Sequence, residues 1–178
     1  MKKIVLFDMD GTLTPARKQM QWSMVTSLAK LQKAGYEIGI VTGSDMDYLL
    51  QQCNAMFDIS PVDFTSIHFM PCNGTKYYRY QSGKSSPVTV YENDMKSQIG
   101  IESWQNLIQI LCNLQACVTN IYPNIPLSGH FINYRGSMVN WCPIGRQADF
   151  TDRSSWEKEE SDKNIRIKFK DMLESALK

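Results

Sequence analysis

The sequence predicts an α/β fold: the first half of a Rossmann-like core followed by an α+β cap. Three observations carry this. Ile4, Val5, Leu6 and Phe7 form a short apolar run, read as a strand buried on both faces, that ends abruptly in Asp8-Met9-Asp10-Gly11. Helical periodicity then gives way at Gly35 to a second apolar run, Tyr36 to Val41. Later the pattern changes to long helical stretches around a pair of short strands, as a separate cap would require.

At the first strand, the strand period of two puts Asp8 and Asp10 on one side while the chain stays extended, and Gly11 lets the backbone turn away. The carboxyl end of a buried strand is where open α/β sheets bind ligands. Two carboxylates crowded there need a cation such as Mg²⁺, or a proton, between them. A bare D-x-D alone would be a solvated turn. Here F-D-M-D-G-T-L-T resembles the first motif of the haloacid dehalogenase superfamily. The resemblance implies that Asp8 attacks a phosphoryl group to form an aspartyl phosphate and that Asp10 serves as acid and base. Both would be Mg²⁺ ligands.

Pro15 to Gln19 reads as a polar bend. Trp22, Val25, Leu28, Ala29 and Leu31 recur at near-helical spacing, so helix and second strand make a parallel unit with a crossover between. Thr42-Gly43-Ser44-Asp45 closes the second strand. A hydroxyl and a glycine ahead of a helix can offer Oγ and backbone amides to a phosphate, although the same residues also make an ordinary helix cap. The stretch resembles the second motif of the superfamily, with Thr42 in the phosphate role, Gly43 beside it and Ser44 a competitor. A helix is expected from Met46 to about Met56 and a third strand over Phe64 to Met70. Pro71-Cys72-Asn73-Gly74-Thr75 is similar to the family's E-N-G turn with Cys72 in place of the acid, and Asn-Gly is equally a hairpin turn.

Tyr77 to Tyr91 is aromatic and polar with Gly83, Ser85, Ser86 and Pro87, as expected of strands and a hinge leaving the core, so the boundary is placed between residues 85 and 86. Met95 to Cys117 carries a long helical pattern broken softly at Gly100. From Gly129 two strand-like runs flank Gly136-Ser137, and alternation puts Asn133 and Arg135 on one face. Arg146 and Arg153 follow in a polar loop. Scattered arginines are usually solvated, but the planar fork of a guanidinium can take two phosphate oxygens at once. G-H-F-I-N-Y-R-G-S-M-V-N-W-C-P-I-G-R followed by Arg153 closely resembles the cap of eukaryotic-type phosphomannomutases. There the matching arginines grip the distal phosphate of a hexose phosphate. Carried over by position they are Arg17, Arg135, Arg146 and Arg153, with Asn140 a further substrate-binding residue. The resemblance implies interconversion of mannose 6-phosphate and mannose 1-phosphate, with a hexose 1,6-bisphosphate as intermediate and activator. It also implies a place in mannose metabolism leading to GDP-mannose. A sugar-phosphate phosphatase, or a sugar-phosphate-binding or regulatory homologue, stays open beside it.

Asp152 or Ser154 can cap the charged helix that follows, and Ile165, Phe169, Met172, Leu173, Ala176 and Leu177 make an apolar stripe to the end. The family's later core motifs, including a G-G-Q-x-S-x-D segment and an acidic motif that completes the Mg²⁺ site, do not occur in these residues. Ile4 to Phe7 is therefore expected to be an exposed apolar sheet edge, in a truncated homologue, in a chain completed by the product of a split gene, or in an oligomer that shields it; the partner expected is a homodimer formed through the cap or a completing second chain.

The chain has 178 residues with net charge +1 and no basic run, which argues against a nucleic-acid partner. Five cysteines without C-x-x-C pairs fit reduced thiols, each expected to fill a core, in a cytoplasmic protein. No long apolar stretch occurs, so neither membrane insertion nor secretion is expected.

Overall fold

The structure, a computed structural model, describes residues 3–15, 18–57 and 61–177. The chain divides into two compact units, Met1–Asn93 and Asp94–Lys178.

The first unit contains β1 (Lys3–Asp8), α1 (Trp22–Lys33), β2 (Tyr36–Val41), α2 (Met46–Gln52), β3 (Ile67–Met70), β4 (Lys76–Arg79) and β5 (Val88–Glu92). These make one sheet in the order β1-β2-β3-β4-β5, parallel across the first two pairs and antiparallel across the last two. α1 forms because Val25, Leu28 and Ala29 return to one face. It stops where Gly35 adopts φ +88°, a conformation that costs a side-chain-bearing residue about 1–2 kcal/mol. Its buried face meets Ile38 and Ile40 of β2 and Ile67 and Phe69 of β3, all fully buried. Each such side chain contributes about 1.5–3 kcal/mol through lost apolar exposure.

β1 is not buried on both faces. Among the described residues it pairs only with β2, and Ile4 and Leu6 remain 45% and 58% exposed. The helices of this unit cover the face of Phe7, while among the described residues of this unit no layer covers the other parity. Leu6 lies across Gly39, where an added Cβ would sit 2.4 Å from its Cδ2. The apolar edge expected from the sequence is thus present. Further along the same face, polar side chains satisfy one another: His68 bonds Glu37 at 2.8 Å and Tyr77 at 2.6 Å.

Several bounds differ from expectation. The third strand begins at Ile67, because Asp63 caps a 3₁₀ turn over Phe64–Ser66 through its bonds to Thr65 and Ser66. α2 ends at Gln52, and a separate 3₁₀ turn covers Asn54–Met56. β5 belongs to the first sheet.

The second unit contains α3 (Met95–Ile99), α4 (Ile101–Ile121), β6 (Ile132–Tyr134), β7 (Val139–Trp141), α5 (Phe150–Lys163) and α6 (Ile165–Ala176). Gly100 and Asn164, at φ +81° and +52°, separate the paired helices. The core gathers Val118, Tyr122, Ile125, Ile144, Trp156, Ile165 and Phe169, with Tyr122 edge-on to both Trp156 and Phe169. α5 is capped by Asp149 rather than Asp152 or Ser154: its carboxylate accepts from the Asp152 N–H at 2.8 Å, which starts the helix a turn early. The terminal stripe is narrower than expected, since Ile165 and Phe169 are buried while Met172 and Leu177 are 37% and 50% exposed. Cys53 and Cys72 fill the first core, but Cys112 and Cys117 are exposed on α4, whose buried face is Trp104, Leu111, Leu114 and Val118.

Candidate active site

Asp8 ends β1 directly beside Val41, the last residue of β2. Parallel strands lie about 4.8 Å apart, so the Asp8 turn and the loop that starts at Thr42 are neighbours at the carboxyl end of the sheet. After Asp8 the fully buried Met9 anchors the turn, and its carbonyl accepts from the N–H groups of Leu13 and Thr14, both at 3.0 Å. The Gly11 N–H closes the turn on the Thr14 carbonyl at 2.7 Å, with φ +82° at Gly11. Asp8 is exposed and Asp10 half-buried at the open end of this turn.

The second loop is held from two sides. Thr42 is buried, its N–H donating to the Met70 carbonyl at 3.2 Å and its hydroxyl accepting from the Ser44 N–H at 3.2 Å. That hydroxyl keeps its own hydrogen to donate. Gly43 and Ser44 are half-buried, and Asp45 caps α2 by accepting from the Tyr48 N–H at 3.0 Å.

A third loop, which the sequence left as a hairpin turn or a weak motif, completes the cluster. The Cys72 N–H donates to the Ser44 carbonyl and the Asn73 N–H to the Thr42 carbonyl, each at 2.8 Å. Cys72, Asn73 and Gly74 all have positive φ, of 52°, 57° and 79°. Two consecutive non-glycine residues in that region are costly, and such strain gathers where a backbone is forced to a task. Here the turn both joins the antiparallel strands β3 and β4 and presses against the Thr42 loop, with Asn73 Oδ1 3.3 Å from where a Cβ on Gly43 would be. Asn73 was signalled in the sequence by its Asn-Gly pair and its likeness to the family's E-N-G turn, whereas nothing in the sequence set Thr14 or Gln52 apart.

The chemistry this cluster can perform is that of an acidic pair beside hydroxyl and amide donors. Asp8 and Asp10 offer hard oxygen ligands, and among the described residues no further acid, histidine or cysteine joins them in a group of three or more. Mg²⁺ is commonly held by one or two carboxylates together with phosphate oxygens and water, so the pair fits that ion.

In the second unit the β6–β7 hairpin sets Asn133 opposite Asn140, which places Asn140 and Arg135 on the same face. The Arg135 N–H continues the ladder to the Met138 carbonyl at 2.9 Å. The Arg146 loop is pinned by its N–H to the His130 carbonyl at 3.0 Å. Arg153 reaches from α5 into that loop, donating from Nε to the Ala148 carbonyl at 3.0 Å and from Nη2 to the Arg146 carbonyl at 2.9 Å. In this structure it braces the segment that carries Arg146. Arg17 lies outside the described residues.

Comparison with known proteins bears on this geometry. The family model described as eukaryotic phosphomannomutase matches residues 24–178. Phosphomannomutase of Schizosaccharomyces pombe is 32% identical over 178 residues, covering 99% of this chain and 64% of that protein. The Saccharomyces cerevisiae phosphomannomutase is 31% identical over 96% of this chain and 61% of its own length, and human phosphomannomutase 1 is 29% identical over 97% and 60%. The chain thus spans less than two thirds of the length of the curated relatives it matches. Among solved structures, the Plasmodium falciparum IMP-nucleotidase superimposes with a TM-score of 0.54 at 14% identity, over 77% of this chain and 38% of that one, a likeness of fold alone.

Proposed function

We propose, since the chain belongs to the eukaryotic phosphomannomutase family, that it acts in phosphoryl transfer between the 6- and 1-positions of mannose phosphate, through an aspartyl phosphate on Asp8 and a hexose 1,6-bisphosphate. The observation that supports this most is the meeting of three loops at one sheet end: the Asp8–Asp10 turn, the Thr42–Ser44 loop and the Cys72–Gly74 turn.

A carboxylate oxygen of Asp8 attacks phosphorus, and the bond from phosphorus to the sugar oxygen breaks. Asp10 gives that oxygen a proton. On return it takes the proton from the other hydroxyl, which then receives the phosphoryl group. Thr42 donates its hydroxyl hydrogen to the transferring group, and Gly43 and Ser44 line the same loop. Mg²⁺, held by Asp8 and Asp10 when bound, neutralises charge on the phosphate. In the second unit, the cap, Arg135 and Arg146 take the second phosphate with Asn140 beside them. Arg153 holds their loop while its Nη1 hydrogens remain to join them, and Arg17 completes the set. The bisphosphate is the activator because it charges Asp8. The reading includes a cytoplasmic setting, supported by five free thiols, and a homodimer through the cap, supported by a groove of about 420 Å³ lined by Cys112, Ala116, Leu127, Phe131 and Ile132. Among the described residues no helix is long and apolar enough to cross a membrane.

A second reading is favoured by the exposed apolar edge of β1 and the two-residue acidic set: the chain binds sugar phosphates but needs a completing chain to turn them over. A phosphorus NMR time course with mannose 1-phosphate, Mg²⁺ and a trace of hexose 1,6-bisphosphate separates the two, with Asp8→Asn as control. Mannose 6-phosphate that accumulates only with Asp8 present supports transfer. Free phosphate in its place makes the chain a phosphatase, and silence with arginine-dependent phosphate binding leaves the second reading.

A further inference from the structure

We infer that Gln52 is a positioning residue for the Asp8–Asp10 turn, acting through Thr14 and tying that turn to the helix that follows the Thr42–Ser44 loop; its catalytic consequence rests on the phosphoryl-transfer reading.

Gln52 is the last residue of α2, and its side chain lies in an apolar core at 3% exposure. A buried primary amide is costly unless both of its ends are bonded. Here both are. Oε1 accepts from the Thr14 hydroxyl at 3.2 Å, and Nε2 donates to the Tyr48 hydroxyl at 2.6 Å, one helical turn back. The main-chain carbonyl of Gln52 also accepts from the Met20 N–H at 2.7 Å, so this one residue holds the chain at Thr14 and again at Met20.

Thr14 is the hub on the other side. It is 2% exposed, bridges to Asp10, receives the Gly11 N–H on its carbonyl and gives its own N–H to the Met9 carbonyl at 3.0 Å. Its hydroxyl also lies 3.3 Å from that Met9 oxygen, which belongs to the peptide between the two aspartates. Gln52 therefore touches no reacting group. It fixes the residue that closes the turn carrying them.

The spacing between the aspartate turn and the Thr42 loop is thus set twice. One constraint is the β1–β2 ladder, which ends at Asp8 and Val41. The other runs Thr14, Gln52, Tyr48 and then, through the Tyr48 N–H, to the cap residue Asp45 directly after the Thr42–Ser44 loop. The ladder fixes Asp8 alone. Asp10 lies two residues beyond it, and its orientation depends on the turn. A misplacement of about 1 Å at a reacting group can cost on the order of 100-fold in rate, so a brace here has a kinetic role distinct from stability.

The test compares Gln52→Leu, which keeps the volume and loses both bonds, with Gln52→Glu, which keeps an acceptor for Thr14. Thr14→Val removes the same bond from the opposite side. Amide hydrogen exchange is read at Gly11, Leu13 and Thr14 in the turn, and at Leu49 in α2 and Cys53 at its C-cap as the internal control. Gln52→Leu should speed exchange in the turn by about tenfold or more while α2 stays within about twofold, with Gln52→Glu largely restored. The double variant with Thr14→Val should be no worse than the worse single one, as expected of one shared bond. With mannose 1-phosphate, kcat should fall about tenfold with KM nearly unchanged, and Glu should recover it. An unchanged turn, or loss of turn and helix together, overturns the assignment, as does normal kcat in an active chain with a loosened turn. If the wild-type chain shows no turnover, the exchange pattern and the double variant still decide the positioning role, and only the transfer reading fails.

Discussion

Replacing Gly145 by alanine should cost the second unit about 3–4 kcal/mol, far more than a one-carbon change usually does. Gly145 has φ +88°, and a Cβ there would lie 1.9 Å from the Ser128 carbonyl oxygen and 2.4 Å from its carbon. The left-handed backbone costs an alanine about 1–2 kcal/mol. The contact is with backbone, so no side chain can swing aside, and the two strands of chain must separate. Separation breaks the bond from the Ser128 N–H to the Ile144 carbonyl and that from the Gln147 N–H to the Ser128 carbonyl, each 3.0 Å. Each contributes about 1 kcal/mol net. Urea unfolding followed by tryptophan fluorescence reads the effect directly, because Trp104, Trp141 and Trp156 all lie in this unit. The same separation displaces Arg146, the next residue, so inorganic phosphate binding should weaken about tenfold in dilute urea-free buffer, where the variant is still folded. A loss below about 1 kcal/mol would mean that the loop relaxes freely and that the close approach of Gly145 to Ser128 is not a constraint.

Four further outcomes follow from other contacts. Tyr122→Phe should stabilise the second unit by about 1 kcal/mol in urea, because the Tyr122 hydroxyl is buried with no hydrogen-bond partner among the described residues. Arg153→Lys, which cannot span the Ala148 and Arg146 carbonyls with a planar fork, should weaken phosphate binding several-fold in calorimetry while leaving the helical circular dichroism intact. Burial pushes the Cys53 thiol up to about 12, so iodoacetamide at about pH 8 should label Cys112 and Cys117 and spare Cys53 in the folded chain. The Tyr134 hydroxyl and the Ser97 N–H hold the Asp94 carboxyl below its usual range. A depressed folded value means the contribution is complete above the unfolded pKa of about 3.9 and lost as pH falls through the folded one, so Ser97 amide protection should drop below about pH 4 in wild type and be pH-independent in Asp94→Asn.

What the sequence made legible is what period and punctuation encode. The strand at Tyr36–Val41, the break at Gly100 and the hairpin around Gly136-Ser137 are all where apolar periodicity meets a glycine. The candidate site residues stood out for a related reason: Asp8 ends an apolar strand, and Asp10 and Thr42 follow just after one, where an apolar run gives way to charge and hydroxyl. Burial on the second face of β1 was misjudged because four apolar residues in a row look alike whether a second layer covers them or not. Ile4 and Leu6 have none in these residues. The helix start at Asp149 was missed because Asp149 and Asp152 both satisfy a cap pattern, and only the bond from the Asp152 N–H to Asp149 chooses between them.

The residues that hold the chemistry in place left no such trace. Gln52 sits at the end of an ordinary amphipathic helix, and Arg153 was expected in a polar loop as a phosphate ligand rather than on a helix as a brace; the bracing role of each shows only in where its side-chain bonds end. Both end on the loops that carry the candidate functional groups, one at Thr14 below the aspartates and one at the carbonyls beside Arg146. A loop cannot orient a carboxylate or a guanidinium by its own backbone, because short irregular segments lack a repeating ladder. The orientation must come from a neighbouring regular element that reaches in. In each unit that element is a helix, α2 or α5, and the reaching side chain carries a planar group with several donors or acceptors. An amide and a guanidinium can each bond two points at once, which fixes direction as well as distance. The same logic predicts that lysine cannot replace Arg153 as a brace, because Nε and Nη2 of the guanidinium bond two carbonyls of its own chain.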